Sequence, residues 1–131
     1  MRSLVLFLCL SLTATAAETC TALNEAESIV LSETNSARAR IGLPGLVVDC
    51  RLMAAARRHA RRLAQSGSLY HSQGVAENVA SGQPDGFDAV ASWMASSGHR
   101  ANILNRSHRR VGVAGFVGPD GRHYWVQQFA P

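Results

Sequence analysis

Two long segments in the first half of the chain place apolar residues at helical spacing. The first covers 22–40, where no proline or glycine interrupts the pattern. The second covers 50–65, with Asp49 in front of it as the expected N-cap and a Ser-Gly pair after it. At about 100° per residue its apolar side chains share one face, and five arginines share the opposite face. These patterns predict two helices, joined by a turn at 42–45 and a short extended piece at 46–48.

The second half of the chain changes from helical spacing to strand-like patterns. A third helix is predicted over 84–95, with Pro84 as its first residue, and a short fourth helix follows it. Two apolar stretches, 111–117 and 123–129, flank a Gly-Pro-Asp-Gly turn and predict a hairpin. Segment 66–83 is rich in Ser and Gly, has no clear period and is predicted to be a loop. Helices first and a C-terminal hairpin indicate an α+β fold.

Composition limits the chain to one globular domain. Its 131 residues are too few for two ordinary domains, while 47% hydrophobic and 17% charged residues suit a chain with a core. Most multidomain enzymes are therefore excluded. The formal net charge is +4, and all thirteen basic residues are arginine. Arginine favours bidentate contacts with carboxylate or phosphate, but codon bias in a GC-rich genome would produce the same skew.

The N-terminal segment 1–17 has the layout of a signal peptide. An arginine precedes a short apolar run, and small residues follow it, with cleavage expected after Ala16 or Ala17. The apolar run is too short for an anchor, and no later stretch approaches the roughly 20 apolar residues of a transmembrane helix. We expect a secreted protein, extracellular or periplasmic, whose folded domain covers 18–131.

Cysteine usage agrees with export. Cys9 lies in the segment to be removed, so the mature chain keeps Cys20 and Cys50. In an oxidising compartment these two cysteines are expected to pair, with two free thiols as the alternative. The bond would close a loop of about 31 residues and stabilise the fold by roughly 3 to 4 kcal/mol.

The arginine face of the second helix has two interpretations. It could bind anions such as phosphate, membrane headgroups or nucleic acid, or it could be the solvated side of an amphipathic helix. No aromatic residues interleave with the arginines as base-stacking platforms would, so nucleic acid is not an expected partner. At the edge of the apolar face, His59 is expected to be a packed, hydrogen-bonded histidine.

Three residues carry the candidate chemistry: His71, Glu77 and His99. The first two lie six positions apart in the predicted loop, and His99 begins the short fourth helix. Two imidazoles and a carboxylate suit a divalent transition metal such as zinc with an open coordination position, although the spacing matches no compact metal motif. Alternatively, the Glu77 carboxylate holds a loop through backbone N–H groups, and Asn78 allows the same interpretation.

Further motifs follow one another along nearly the whole of the predicted mature chain. They are Asn-Ser-Ala-Arg at 35–38, Ala-Glu-Asn-Val-Ala at 76–80, Ala-Val-Ala-Ser-Trp at 89–93, Ser-Ser-Gly-His-Arg-Ala-Asn-Ile-Leu at 96–104 and Tyr-Trp-Val-Gln-Gln-Phe at 124–129. In this order the motifs resemble the CAP superfamily, the SCP-like domains of cysteine-rich secretory, antigen 5 and plant pathogenesis-related proteins. The form of the 96–104 motif resembles the bacterial branch of that family.

The resemblance implies a three-layer α-β-α sandwich whose cleft carries two histidines and two acidic residues. Carried over by motif, the histidines are His71 and His99, and the first acid is Glu77. The position of the second acid holds Ser96, so Ser96 and Asn78 would line the cleft without supplying that charge. Loss of this carboxylate is expected to weaken metal binding and to weaken hydrolytic chemistry further. The link from His71 to Glu77 is also short for the family.

These observations predict a monomeric binding module for a lipid, a small ligand or a protein. Its cleft, formed by His71, His99 and Glu77, would be able to take a divalent metal such as zinc. One alternative is a metal-assisted hydrolase in which Glu77 is the general base, although the missing second acid argues against it. Another alternative is a structural or adhesive module of the cell envelope. The sequence favours binding over catalysis, and it does not indicate the ligand.

Overall fold

The computed structural model describes residues 20–131, which contain four helices and four strands. The predicted signal peptide, 1–17, and Cys9 lie outside the described residues. The helices are α1 (Glu25–Ala39), α2 (Cys50–Ser66), α3 (Gly86–Ala95) and α4 (Ser97–Ile103), and the strands are β1 (Val47–Val48), β2 (Ala76–Ser81), β3 (Arg110–Val117) and β4 (His123–Ala130).

The strands form one sheet in the order β1-β3-β4-β2. β1 pairs parallel to β3, and the other two pairs are antiparallel. The predicted hairpin is confirmed, because Val117 pairs with His123 at the end of the β3–β4 ladder. Its turn contains Gly121 at φ +76°, a left-handed conformation that glycine adopts without steric cost.

Side chains alternate across the sheet, so each face has its own helical cover. On one face, Tyr124 and Val126 of β4 pack with the apolar side of α2. On the other face, Trp125 and Phe129 pack with residues of α1, α3 and α4. The result is the α+β, three-layer α-β-α arrangement that the sequence predicts. At Gly112 of β3 the first turn of α2 lies so close to the sheet that any side chain would collide with the helix backbone.

Helix starts follow local capping. Asn24 forms a capping box with Glu27, so α1 begins at residue 25 rather than 22. Asp49 caps α2 as predicted, accepting hydrogen bonds from the backbone amides of residues 51 and 52. The prediction of Pro84 as the first residue of α3 is wrong, because Asp85 is the N-cap and the helix begins after it.

The prediction of a loop throughout 66–83 is also wrong, because β2 forms at Ala76–Ser81 and pairs along its length with β4. The strand lacks the apolar alternation that identifies strands in a sequence. Its second and third residues, Glu77 and Asn78, are both polar, and both are buried on opposite faces of the sheet. Hydrogen bonds to neighbouring side chains offset the cost of burying these polar groups.

Two long-range connections stabilise the helical layers. The predicted disulfide between Cys20 and Cys50 is present, and it joins the segment before α1 to the first residue of α2. Arg38 of α1 is fully buried and donates only to backbone carbonyls. Those carbonyls belong to Pro44, Ile103, Asn105 and His108, at distances of 2.8 to 3.2 Å.

Candidate functional site

β2 supplies two adjacent polar residues whose side chains point to opposite faces of the sheet. Glu77 pairs in register with Gln128 of β4, and Asn78 pairs with Gln127. The Glu77 and Gln128 side chains lie on the face covered by α2, where His59 approaches them. The Asn78 and Gln127 side chains lie on the opposite face and bond to each other. The strand therefore connects two polar clusters through the sheet.

The Glu77 carboxylate is surrounded by donors. Its Oε1 accepts from His71 Nδ1 at 3.1 Å and from the backbone amide of Ser72 at 2.9 Å, and its Oε2 accepts from Gln128 Nε2 at 2.7 Å. His59 Nε2 lies 3.6 Å from Oε1. Glu77 is 5% exposed. Both oxygens are therefore engaged within the protein, and the carboxylate acts as an anchor for the chain at 71–72.

The contact with Glu77 orients the His71 ring. A carboxylate oxygen only accepts, so Nδ1 of His71 carries the proton and, in the neutral ring, Nε2 carries the lone pair. The His71 side chain is 57% exposed although its partner is buried. Glu77 thus holds an accessible imidazole in one tautomer, as carboxylates do behind many metal-binding histidines.

His99 of α4 lies within the electrostatic influence of His71. Burial lowers the pKa of His99 below its ordinary value, and the charge of His71 lowers it further. The His99 imidazole therefore favours its neutral form, in which a ring nitrogen can bind a metal or accept a hydrogen bond. The charge of one histidine that the sequence singles out therefore acts on the other, and Glu77 contacts His71 directly.

Asn78 fixes the position of α4 against the sheet. Its fully buried amide donates to the backbone carbonyl of His99 at 3.1 Å and to Gln127 Oε1 at 3.2 Å. Its Oδ1 accepts from Asn102 Nδ2 at 3.0 Å, and the same Nδ2 also donates to the carbonyl of Glu77. Asn78 therefore positions the helix that carries His99.

Comparison with known proteins agrees with this architecture. The model of the cysteine-rich secretory protein family, CAP, matches residues 31–129. The chain belongs to the CAP family. A curated relative, the uncharacterized protein YkwD of Bacillus subtilis, is 32% identical over 121 residues, covering 79% of this chain and 46% of that protein. The chain thus spans about half the length of the curated relative it matches.

Solved structures of other proteins resemble the fold. An outer surface protein from Borrelia burgdorferi superposes with a TM-score of 0.74 at 21% identity, covering 81% of this chain and 92% of that one. An extracellular protein of Bacillus anthracis that contains an SCP domain gives a TM-score of 0.69 at 25% identity, covering 79% of this chain and 39% of that one. CAP domains are typically extracellular. None of the helices within residues 20–131 is long and apolar enough to cross a membrane.

Ser96 stands where the CAP pattern has a second acid. It lies between α3 and α4 and is partly buried, and its backbone amide donates to the carbonyl of Trp93. Its side chain makes no capping bond to α4, and within residues 20–131 no hydrogen bond joins its hydroxyl to His71, His99 or Glu77. The α4 side of the cleft therefore has no carboxylate at this position.

A metal in this CAP cleft would have to be held by imidazoles. In the part of the chain that the structure describes, no group of three or more His, Cys, Asp or Glu side chains is arranged to hold a metal ion. Glu77 directs its oxygens to protein donors. The residues able to hold a metal are accordingly His71 and His99, with Glu77 behind the first of them.

Four residues of the polar clusters were not predicted as part of the site: His59, Asn102, Gln127 and Gln128. His59 is packed and hydrogen-bonded as expected, with Nε2 donating to the carbonyl of Tyr70, but it also approaches Glu77. Gln127 and Gln128 left a signal in the sequence, because two consecutive glutamines interrupt an otherwise apolar and aromatic strand. Two consecutive glutamines in a buried strand point to opposite faces of the sheet, so each face must supply hydrogen-bond partners for one of them.

Proposed function

We propose that this protein is a secreted CAP binding module whose cleft holds a divalent metal, zinc in particular, between His71 and His99. The observation that carries the proposal is the 3.1 Å contact between His71 Nδ1 and the buried carboxylate of Glu77. It leaves the Nε2 lone pair of an accessible ring available to a ligand, in a fixed tautomer. Secretion is supported by the family, by the disulfide and by the signal-peptide pattern at 1–17.

Each residue has a separate task in this proposal. Glu77 holds the proton on Nδ1 of His71, and Asn78 holds the helix that carries His99. The lowered pKa of His99 keeps its ring neutral near pH 7, as a ligand must be. A bound zinc ion would offer open coordination positions for a carbonyl or anionic group of the ligand.

The arrangement favours binding over hydrolysis. A general base has to reach the proton that it removes, directly or through one water molecule. Glu77, the candidate base, is buried, and both of its oxygens are engaged by protein donors. Ser96 supplies no carboxylate in its place. The module would bind a lipid, a small ligand or a protein.

Zinc titration by calorimetry on the purified, metal-free protein tests the proposal. We expect saturable binding close to one zinc per chain, which His71→Ala and His99→Ala each abolish or weaken strongly. His123→Ala is the matched control, because it removes a partly buried imidazole at the start of β4, away from the cleft. Equal titrations for the parent and His71→Ala would refute the metal site. If the double variant of His71 and His99 also kept every phenotype, a structural or adhesive role would be favoured.

A further inference from the structure

The arginines of α2 do not form the single solvated face that helical periodicity suggests. Arg57 forms a bidentate pair with buried Glu27 at 2.7 and 2.8 Å. Arg61 stacks on the Phe116 ring, with 5.4 Å between guanidinium carbon and ring centre. Two of the five thus have partners on one flank of the helix. The other three are Arg51, Arg58 and Arg62.

These three arginines lie along one line of the helix. Positions seven and four residues apart return to nearly the same side, so Arg51, Arg58 and Arg62 follow one another along the axis. With a rise of about 1.5 Å per residue, Arg58 and Arg62 are separated by about 6 Å along the helix, and Arg51 lies about 10 Å from Arg58. Two adjacent guanidinium groups and a third at a distance therefore border the same surface.

This surface is concave. The three arginines line a cavity of about 440 Å³, a volume typical of small-molecule sites. The segment after His71 borders the cavity, and Gln128 reaches it from the sheet. The other lining residues are Leu52, Ala55, His59, Ser72, Gln73 and Val75.

The cavity carries positive charge, and the carboxylate behind its lining, Glu77, is bonded to Ser72 and Gln128 and not to an arginine. None of its lining residues is Asp or Glu. Within residues 20–131 the ion pairs of arginine involve Arg57, Arg110 and Arg122, so Arg51, Arg58 and Arg62 have no carboxylate within 4.0 Å. Three guanidinium groups around one concavity repel one another, and an anion bound between them would relieve that repulsion.

We propose that this cavity binds a small ligand that carries phosphate. Arg58 and Arg62 would clamp one phosphate group, because the planar guanidinium fork matches phosphate oxygens and two forks fit a dianion. Arg51 would contact a second anionic group or the body of the ligand. The cavity adjoins the proposed metal cleft, because Ser72 and Gln128 line the cavity and also bond to Glu77, but His71, His99 and Glu77 themselves do not line it. The phosphate could belong to a soluble metabolite or to a lipid headgroup.

The direct test is calorimetric titration of the metal-free protein with inorganic pyrophosphate at low ionic strength. We expect saturable binding that Arg58→Gln and Arg62→Gln each weaken by about tenfold or more, since each removes charge-assisted hydrogen bonds. Arg61→Gln is the matched control, because it removes the same charge from the neighbouring position on the same helix but borders another cavity. His71→Ala is expected to bind pyrophosphate like the parent, so this proposal and the metal proposal can fail independently.

The source of the phosphate is tested with vesicles of phosphatidylcholine, with and without phosphatidic acid. Binding only to vesicles that contain phosphatidic acid, lost in Arg62→Gln and kept in Arg61→Gln, assigns the site to a lipid headgroup. Binding to pyrophosphate with the same pattern of variants assigns it to a soluble ligand. Equal weakening by Arg61→Gln and Arg62→Gln overturns the proposal, because it indicates net charge alone. Absence of saturable binding to both probes overturns it as well.

Discussion

Replacement of Glu77 by alanine removes the hydrogen-bond acceptor shared by His71, Ser72 and Gln128 on the sheet face that α2 covers. Three donors lose a partner at once: His71 Nδ1, the Ser72 amide and Gln128 Nε2. The His71 side chain is 57% exposed, so water replaces most of its lost bond. Ser72 is partly buried and Gln128 is fully buried, so the loss of their two bonds determines the change in the free energy of unfolding.

The magnitude follows from these two bonds. A hydrogen bond to a charged acceptor contributes about 1.5 to 3 kcal/mol, so the loss of two such bonds in Glu77→Ala should cost about 3 to 6 kcal/mol. That is a large part of the roughly 5 to 15 kcal/mol that stabilises a small domain. With about 4 °C per kcal/mol for a domain of this size, the unfolding temperature should fall by about 12 to 24 °C.

Glu77→Gln is the partial version of the same change. The new amide can keep its oxygen toward Ser72 and His71 if Gln128 rotates its own amide, because the Ser72 hydroxyl can then donate instead of accept. Only the charge is lost, and we expect a cost of about 1 to 2 kcal/mol. In calorimetry, both substitutions should weaken zinc binding, by roughly 10-fold to 100-fold for the loss of an orienting carboxylate.

Urea and thermal unfolding, monitored by circular dichroism, measure both costs. Glu25→Ala is the control, since it removes an exposed carboxylate from the first turn of α1 and should cost less than about 1 kcal/mol. If Glu77→Ala and Glu77→Gln unfold at the same midpoint as the parent, the carboxylate does not anchor the 71–72 segment. The account of how His71 is oriented then fails too.

Three further predictions concern the fold. Simultaneous Cys20→Ser and Cys50→Ser substitution should lower the free energy of unfolding by about 3 to 4 kcal/mol in urea titrations. Arg38→Met should cost about 3 to 5 kcal/mol in the same assay because four carbonyls lose their donor, whereas exposed Arg40→Met should cost less than about 0.5 kcal/mol. Burial, and to a smaller extent the charge of Arg38, lower the pKa of His108 in the folded protein, and together they outweigh its bond to a backbone carbonyl. The free energy of unfolding should therefore be highest above about pH 6.5, the ordinary pKa of histidine, and should fall as the pH drops through the lowered pKa of His108. Urea midpoints between pH 7.5 and about 5 check this, and His108→Gln should flatten the profile.

Regular patterns made most of the fold predictable. The helix α2 combines an N-cap, a continuous apolar face and a glycine at φ +66° after its end, and each signal is local in the sequence. The β3–β4 hairpin was predictable for the same reason, because its turn residues fix the connection. Order of motifs then indicated the CAP sandwich, which neither element specifies alone.

The strand β2 could not be predicted from its pattern because its central residues satisfy their polarity through partners far away in the sequence. Glu77 bonds to Gln128, and Asn78 bonds to Gln127 and to the carbonyl of His99. The members of these pairs are 21 to 51 positions apart, so no local stretch of sequence contains both. Similarly, the separation of the α2 arginines into paired and unpaired sets depends on Glu27 and Phe116, which lie on α1 and β3.

The position of β2 also explains how His71 and His99 can be placed at a cleft although the link between His71 and Glu77 is short. Glu77 fixes the ring of His71 on one side of the sheet, while its neighbour Asn78 fixes the backbone of His99 on the other side. The relative placement of the two imidazoles therefore depends on two adjacent residues of a paired strand. It depends less on the length of the loop that carries His71. A short link between His71 and Glu77 is therefore compatible with this placement of the two histidines.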